Sequence, residues 1–302
     1  TMEAMLMYKQ NFADIVNVDA VVGLGVYNQS GEGLEVDYKN ANDNIGPDNI
    51  AAAEGPFTPT SSRWENEKRS QFARVGVDVL DRYVISGTVR RDGTDKFFPG
   101  KKYAWFPSVS AAWKISNEPF MKNVKWINLL KLRASYGVTG RDNLGTALYG
   151  LYINAPSYVK FDNNQINYIP YLKSGADYPD VTWEKTIMKN IGIDFHLLNN
   201  RIWGSVDLFR NDVTDLLGQA PGEPLSMVGT RPVNYGHYFR SGFDATLNTV
   251  NVKAGGFTWS SMLTLTHYNM YWVERTENYD YQEYQIRENE PMNANYYYHV
   301  TG

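Results

Sequence analysis

Apolar and polar residues alternate along much of this chain with a period of two. Between residues 130 and 140, Leu130, Leu132, Ala134, Tyr136 and Val138 fall on one side of an extended strand, and Lys131, Arg133, Ser135, Gly137 and Thr139 on the other. The pattern returns where Tyr83, Ile85, Gly87 and Val89 oppose Arg82, Ser86, Thr88 and Arg90, with Val84 as the exception. It returns again where Ile191, Ile193, Phe195 and Leu197 oppose Asn190, Gly192, Asp194 and His196. This periodicity predicts about ten strands, near 2–10, 17–28, 65–80, 82–91, 104–115, 129–139, 186–198, 201–211, 236–250 and 256–273.

The connections between these strands alternate in length. Asp81 and the pair Asn199 and Asn200 read as tight turns, whereas 29–64, 140–185, 212–235 and the tail after Val273 read as long loops. Segment 116–128 is intermediate. An ordinary sandwich has no reason to keep such an asymmetry, while outer-membrane barrels place short turns on one rim and long loops on the other. Strands of about ten residues suffice for a tilted bilayer crossing, whereas soluble strands average about five or six. Tyr83, Trp105, Phe106, Trp113, Trp126, Phe257 and Trp259 lie near the strand ends, where girdle aromatics belong. The expected fold is an all-β, antiparallel transmembrane barrel whose apolar face meets lipid. A soluble, carbohydrate-binding β-sandwich or propeller has the same period and stands as the alternative.

Composition narrows the function. The 302 residues carry a net charge of -4 without a basic block, which leaves out the electrostatic footprint of a nucleic-acid binder. There is no cysteine, so disulfides and thiolate chemistry are excluded. No run approaches the roughly 18 apolar residues of a membrane helix, a criterion that does not touch barrel strands. The opening "TMEAMLMYKQ" lacks the features of a signal peptide and "YYYHVTG" resembles no strand ending, so both ends read as cuts in a longer protein.

The segments "RYVISGTVRRDGTDKFFPGKKYAWFPSVSAAWKISNEPFM", "LLKLRASYGVTGRDNLG" and "WEKTIMKNIGIDFHLLNNRIWGSVDLFRNDVTDLL" resemble the barrel of the SusC/RagA family of TonB-dependent outer-membrane transporters of Bacteroidetes. The likeness covers roughly residues 65–267 and is looser elsewhere. It implies a 22-stranded barrel closed by an N-terminal plug, energised through TonB and capped by a SusD-like lipoprotein. By that resemblance, residues 1–302 are a partial barrel with about ten strands, lacking plug, TonB contact and C-terminal strands. The implied protein is a multi-pass outer-membrane importer of oligosaccharide or peptide, without enzymatic activity or cofactor.

The residues themselves offer little catalytic chemistry. His196, His237, His267 and His299 are scattered without a zinc spacing, and His196 beside Asp194 reads as a polar pair facing the lumen. The acidic stretch 37–49 lacks the spacing of a calcium loop. Gly23 and Gly25 sit in a strand with no following helix, which favours barrel packing or the close approach of another backbone over phosphate binding. The binding candidates are loop aromatics: Tyr149, Tyr152, Tyr158, Tyr168, Tyr171, Tyr178 and Trp183, with Tyr279, Tyr281 and Tyr284 in the tail. Flat rings beside amides suit sugar faces and equally suit a protein lid.

Overall fold

A computed structural model describes residues 1–13, 15–39, 54–144, 148, 152–155, 160–161, 165–166, 169–172, 178–222, 230–274 and 290–292. The strands are β1 Met2–Phe12, β2 Val16–Lys39, β3 Glu54–Val79, β4 Tyr83–Thr94, β5 Tyr103–Lys114 and β6 Ile127–Arg141. Four short strands follow: β7 Tyr152–Ala155, β8 Lys160–Phe161, β9 Gln165–Ile166 and β10 Ile169–Leu172. The remainder are β11 Glu184–Leu197, β12 Ile202–Thr214, β13 Leu217–Pro221, β14 Thr230–Asn234, β15 His237–Ala254, β16 Phe257–Glu274 and β17 Glu290–Pro291. One antiparallel sheet runs in chain order from β1 to β6 and on through β11, β12, β15, β16 and β17. It is the up-and-down meander that the alternation predicts.

The register carries the period of two from strand to strand, because directly opposed residues share a face. One row runs Ile85, Ala111, Ala134, Ile191, Leu208 and Phe243; its neighbour runs Trp113, Leu132, Ile193, Val206 and Ala245. This apolar face is uncovered. Along β4, Tyr83, Ile85 and Val89 are exposed while Val84, Ser86 and Thr88 on the polar face are half-buried. A soluble sheet has the opposite burial. The apolar face needs lipid to cover it.

Two expectations are corrected by the strands. The predicted long loop 29–64 is mostly strand: β2 and β3 span 24 and 26 residues and remain paired from Val16 opposite Val79 out to Lys39 opposite Glu54. At roughly 3.3 Å per residue the hairpin extends far past a bilayer. Both of its faces there meet water, so no alternation marks it. The second correction concerns Phe106. Successive strand residues point to opposite faces, so Trp105 and Phe106 cannot share a girdle; Trp105 is exposed and Phe106 is 5% exposed, turned into a core.

Carboxylates fasten the short-turn rim: Asp81 accepts from Lys114 and from Asn117 Nδ2, and Glu118 ties β4 to β5. Glu118, in the turn between β5 and β6, accepts from the Tyr83 hydroxyl at 2.6 Å and the Trp113 indole N–H at 2.9 Å, with Arg82 at 3.7 Å. The hydrogen bonds from Tyr83 and Trp113, then the Arg82 charge, hold its carboxyl below the ordinary range. A carboxyl lowered on folding stabilises above its unfolded value and loses that contribution as pH falls through its folded value. Glu118→Gln is therefore expected to lower the unfolding midpoint at pH 7, with the difference from wild type shrinking below about pH 4. Parallel midpoints at both pH values would show that the charge is not what fastens the rim.

Candidate functional site at the long-loop rim

The buried core of the described residues lies at the end of the sheet where the long connections gather. Phe97, Phe106, Leu144, Leu148, Val181 and Trp183 form it, and Phe97 and Leu148 are essentially fully buried. These residues come from the β4–β5 connection, from β5 and from both ends of the segment between β6 and β11. The Trp183 ring sits 5.2 Å from Phe97 and 5.6 Å from Phe106, edge-on to the latter, and its indole N–H donates to the Lys102 carbonyl at 3.3 Å. The backbone knits the same pieces together: Leu148 N–H donates to the Lys96 carbonyl, Tyr178 N–H to the Leu148 carbonyl, and Lys96 Nζ to the Leu144 carbonyl.

A second tie holds the neighbouring connection. Asn234 Oδ1 accepts from Thr182 N–H at 2.7 Å, while its Nδ2 donates to the carbonyls of Thr182 and Asp215. Glu184, also buried, accepts from Leu217 N–H. Strands β13 and β14 are thus joined to the start of β11.

Among the sequence-derived candidates, Trp183 lies in this core and Tyr178 packs against it half-buried, with its hydroxyl pushed up by burial. Tyr152 and Tyr171 fall in the paired strands β7 and β10, opposite Leu172 and Ile153 respectively. Tyr149, Tyr158, Tyr168, Tyr279, Tyr281 and Tyr284 lie outside the described residues, as does most of the acidic stretch 37–49. Phe97, Leu144, Leu148 and Val181 escape the sequence reading, which assigns Phe106 to the girdle. Only the adjacency of Trp105 could have flagged Phe106.

The polar face carries its own network below this rim. Arg133 donates to both oxygens of Asp194, at 2.8 and 2.9 Å, and to Asp207 at 3.0 Å; Lys131 lies 3.4 Å from Asp194. His196 bonds Asn200 at 3.0 Å, so Asp194 and His196 share a face but have different partners. Asp207 stands directly opposite Asp244, and like charges in that relation repel. Arg133→Gln is expected to destabilise the sheet by about 1–3 kcal/mol, because Asp207 loses its cation on a partly buried face. The double variant Arg133→Gln/Asp207→Asn recovers most of that loss in urea unfolding of the refolded barrel. Additive losses would show that the pair is uncoupled.

Gly23 and Gly25 prove to be close-approach positions. A Cβ on Gly23 would enter the Phe72 ring, and one on Gly25 would come within 2.8 Å of Ser70 Oγ.

The comparisons with known proteins agree with this geometry. The model of the family described as "TonB dependent receptor-like, beta-barrel" matches residues 6–300. TonB-dependent receptor P39 of Formosa agariphila is 30% identical over 239 residues, covering 77% of this chain and 22% of that protein. TonB-dependent receptor SusC of Bacteroides thetaiotaomicron is 31% identical over 212 residues, covering 68% of this chain and 21% of SusC. The solved RagAB peptide transporter superimposes with a TM-score of 0.77 at 19% identity, over 92% of this chain and 30% of that one. The chain thus spans about a quarter of the length of the curated relatives it matches. An uncovered apolar face, short turns on one rim, knitted long loops on the other and a family match along nearly the whole sequence lead to one assignment: the chain belongs to the TonB-dependent receptor β-barrel family, of the SusC/RagA type, and its place is the outer membrane.

Proposed function

We propose that the receptor to which this chain contributes imports an oligomeric nutrient, a glycan or a peptide, across the outer membrane with energy supplied through TonB. In this reading the chain is part of a larger barrel, and the plug and remaining strands belong to the rest of the receptor. The observation that carries the reading is the pairing of an uncovered apolar face with a polar face wired by Arg133, Asp194 and Asp207. One face meets lipid and the other lines a wet lumen. The knitted rim around Trp183 holds the loops that bear Tyr149, Tyr152, Tyr158, Tyr168, Tyr171 and Tyr178, and these with Tyr279, Tyr281 and Tyr284 contact the nutrient or a SusD-like lipoprotein lid. No reaction is assigned to the chain, since recognition and passage account for the arrangement.

The test uses the native full-length receptor. It is expected in the detergent-extracted outer-membrane fraction together with a lipoprotein, and a strain lacking it is expected to lose uptake of one labelled oligosaccharide or oligopeptide class. Recovery as a soluble monomer that binds sugars would replace this reading with the carbohydrate-binding domain.

A further inference from the structure

On the membrane face, β5, β6, β11 and β12 enclose a groove of about 550 Å³. Its floor is small: Ala111 and Ala134 stand opposite each other, flanked in the same row by Ile191 and Leu208. The next row toward the long-loop rim is Val109, Tyr136, Lys189 and Arg210. An apolar channel therefore ends at two cations side by side.

Two like charges directly opposed on neighbouring strands repel unless an anion lies between them. Asp212 serves both in part, 3.3 Å from Lys189 Nζ and 2.8 Å from Arg210 Nη2, while the Arg210 guanidinium lies over the Phe239 ring at 4.0 Å. Asp212 is buried, yet the Lys189 and Arg210 side chains remain 53% and 47% exposed. One carboxylate against two cations leaves a positive charge open at the outer boundary of the apolar face.

We propose that this groove holds a phosphorylated lipid of the outer leaflet, with an acyl chain along the alanine floor and the phosphate on Lys189 and Arg210. Charge complementarity selects the anionic head group. Continuity of the groove with the uncovered apolar face selects a lipid over a soluble anion. Another groove on the same face, of about 660 Å³ between β1 and β5, has apolar walls including Leu6, Val22, Ala73 and Trp105 but no cation among its lining residues. Arg91, paired with Gln71 and Trp105 and 5.8 Å from the Trp105 ring, borders it.

The inference rests on the membrane reading above, and the experiment separates the two. The full-length receptor, purified in detergent, is incubated with lipid A or with lipid A stripped of phosphate, and retained lipid is counted by native mass spectrometry. Wild type is expected to retain the phosphorylated form at least about fivefold better, the factor for one cation near a membrane surface. The neutral set Lys189→Gln/Arg210→Gln/Asp212→Asn, which leaves no unpaired carboxylate, is expected to lose that preference. Ala134→Leu, which keeps the charges and fills the floor, is expected to lower retention of the phosphorylated form to the same level. Equal retention of both lipids by wild type overturns the inference without any variant needing to assemble. A receptor that purifies without detergent overturns the membrane reading instead.

Discussion

Ile85→Arg is expected to cost the barrel about 1–3 kcal/mol, between the roughly 2–4 kcal/mol of a basic residue at the midplane of the lipid face and the roughly 0–1 of one at the interface. Ile85 is 57% exposed on the apolar face, one row in from the Tyr83 and Trp113 pair, and stands in the row that includes Ala111, Ala134 and Ile191. An arginine there has no carboxylate within the row and must draw its guanidinium up toward the interface or drag water in. Thr88→Arg, on the polar face of the same strand, supplies the contrast. Its side chain turns toward the wet polar face, where Arg74 stands directly opposite and adds a like-charge repulsion, so its effect is expected to reach about 1 kcal/mol and to stay below that of Ile85→Arg. The measurement is the urea midpoint of the refolded full-length receptor in lipid vesicles, with assembly followed by heat-modifiable gel mobility. Equal sensitivity of the two positions would remove the lipid from the apolar face and return the sheet to a soluble architecture.

The contrast between these two positions also shows what could be read from sequence. Strands crossing the apolar band were legible because lipid on one side and water on the other impose strict alternation, as in Leu130 to Val138. Where water reaches both faces that constraint disappears. The outer halves of β2 and β3, with Glu32, Glu35 and Arg63 among glycines and serines, therefore read as a loop although they pair in register. The lumen network shows a different limit. Arg133 and Asp194 are 61 residues apart, and only the register of β6 against β11 brings them together. Loop aromatics were legible as a population but not as individuals. Nothing local distinguishes Trp183, which is packed away, from the tyrosines around it, because the partners that bury it come from the β4–β5 connection, from β5 and from the far end of its own segment.

Those partners make Trp183→Ala the other large effect, with a loss of about 3–5 kcal/mol expected locally, as for truncating a buried tryptophan. The loss has two parts. The ring's contacts with Phe97 and Phe106 vanish, and the Lys102 carbonyl is left without its indole donor. The surrounding pieces belong to loops with few other buried contacts, so the cluster is expected to open as a unit while the sheet below stays intact. Hydrogen exchange would then rise by orders of magnitude at the Leu148 and Tyr178 amides, whose acceptors are the Lys96 and Leu148 carbonyls, and remain unchanged at strand amides of β6 and β11. If loop tyrosines grip the nutrient or the lid, that loosening also weakens binding, because each event must pay for ordering the loops again. Trp183→Phe restores most of the packing without the N–H and is expected to recover most of the protection. Slow exchange at Leu148 in the alanine variant would mean that the loops are held from elsewhere and that the buried tryptophan does not organise the rim.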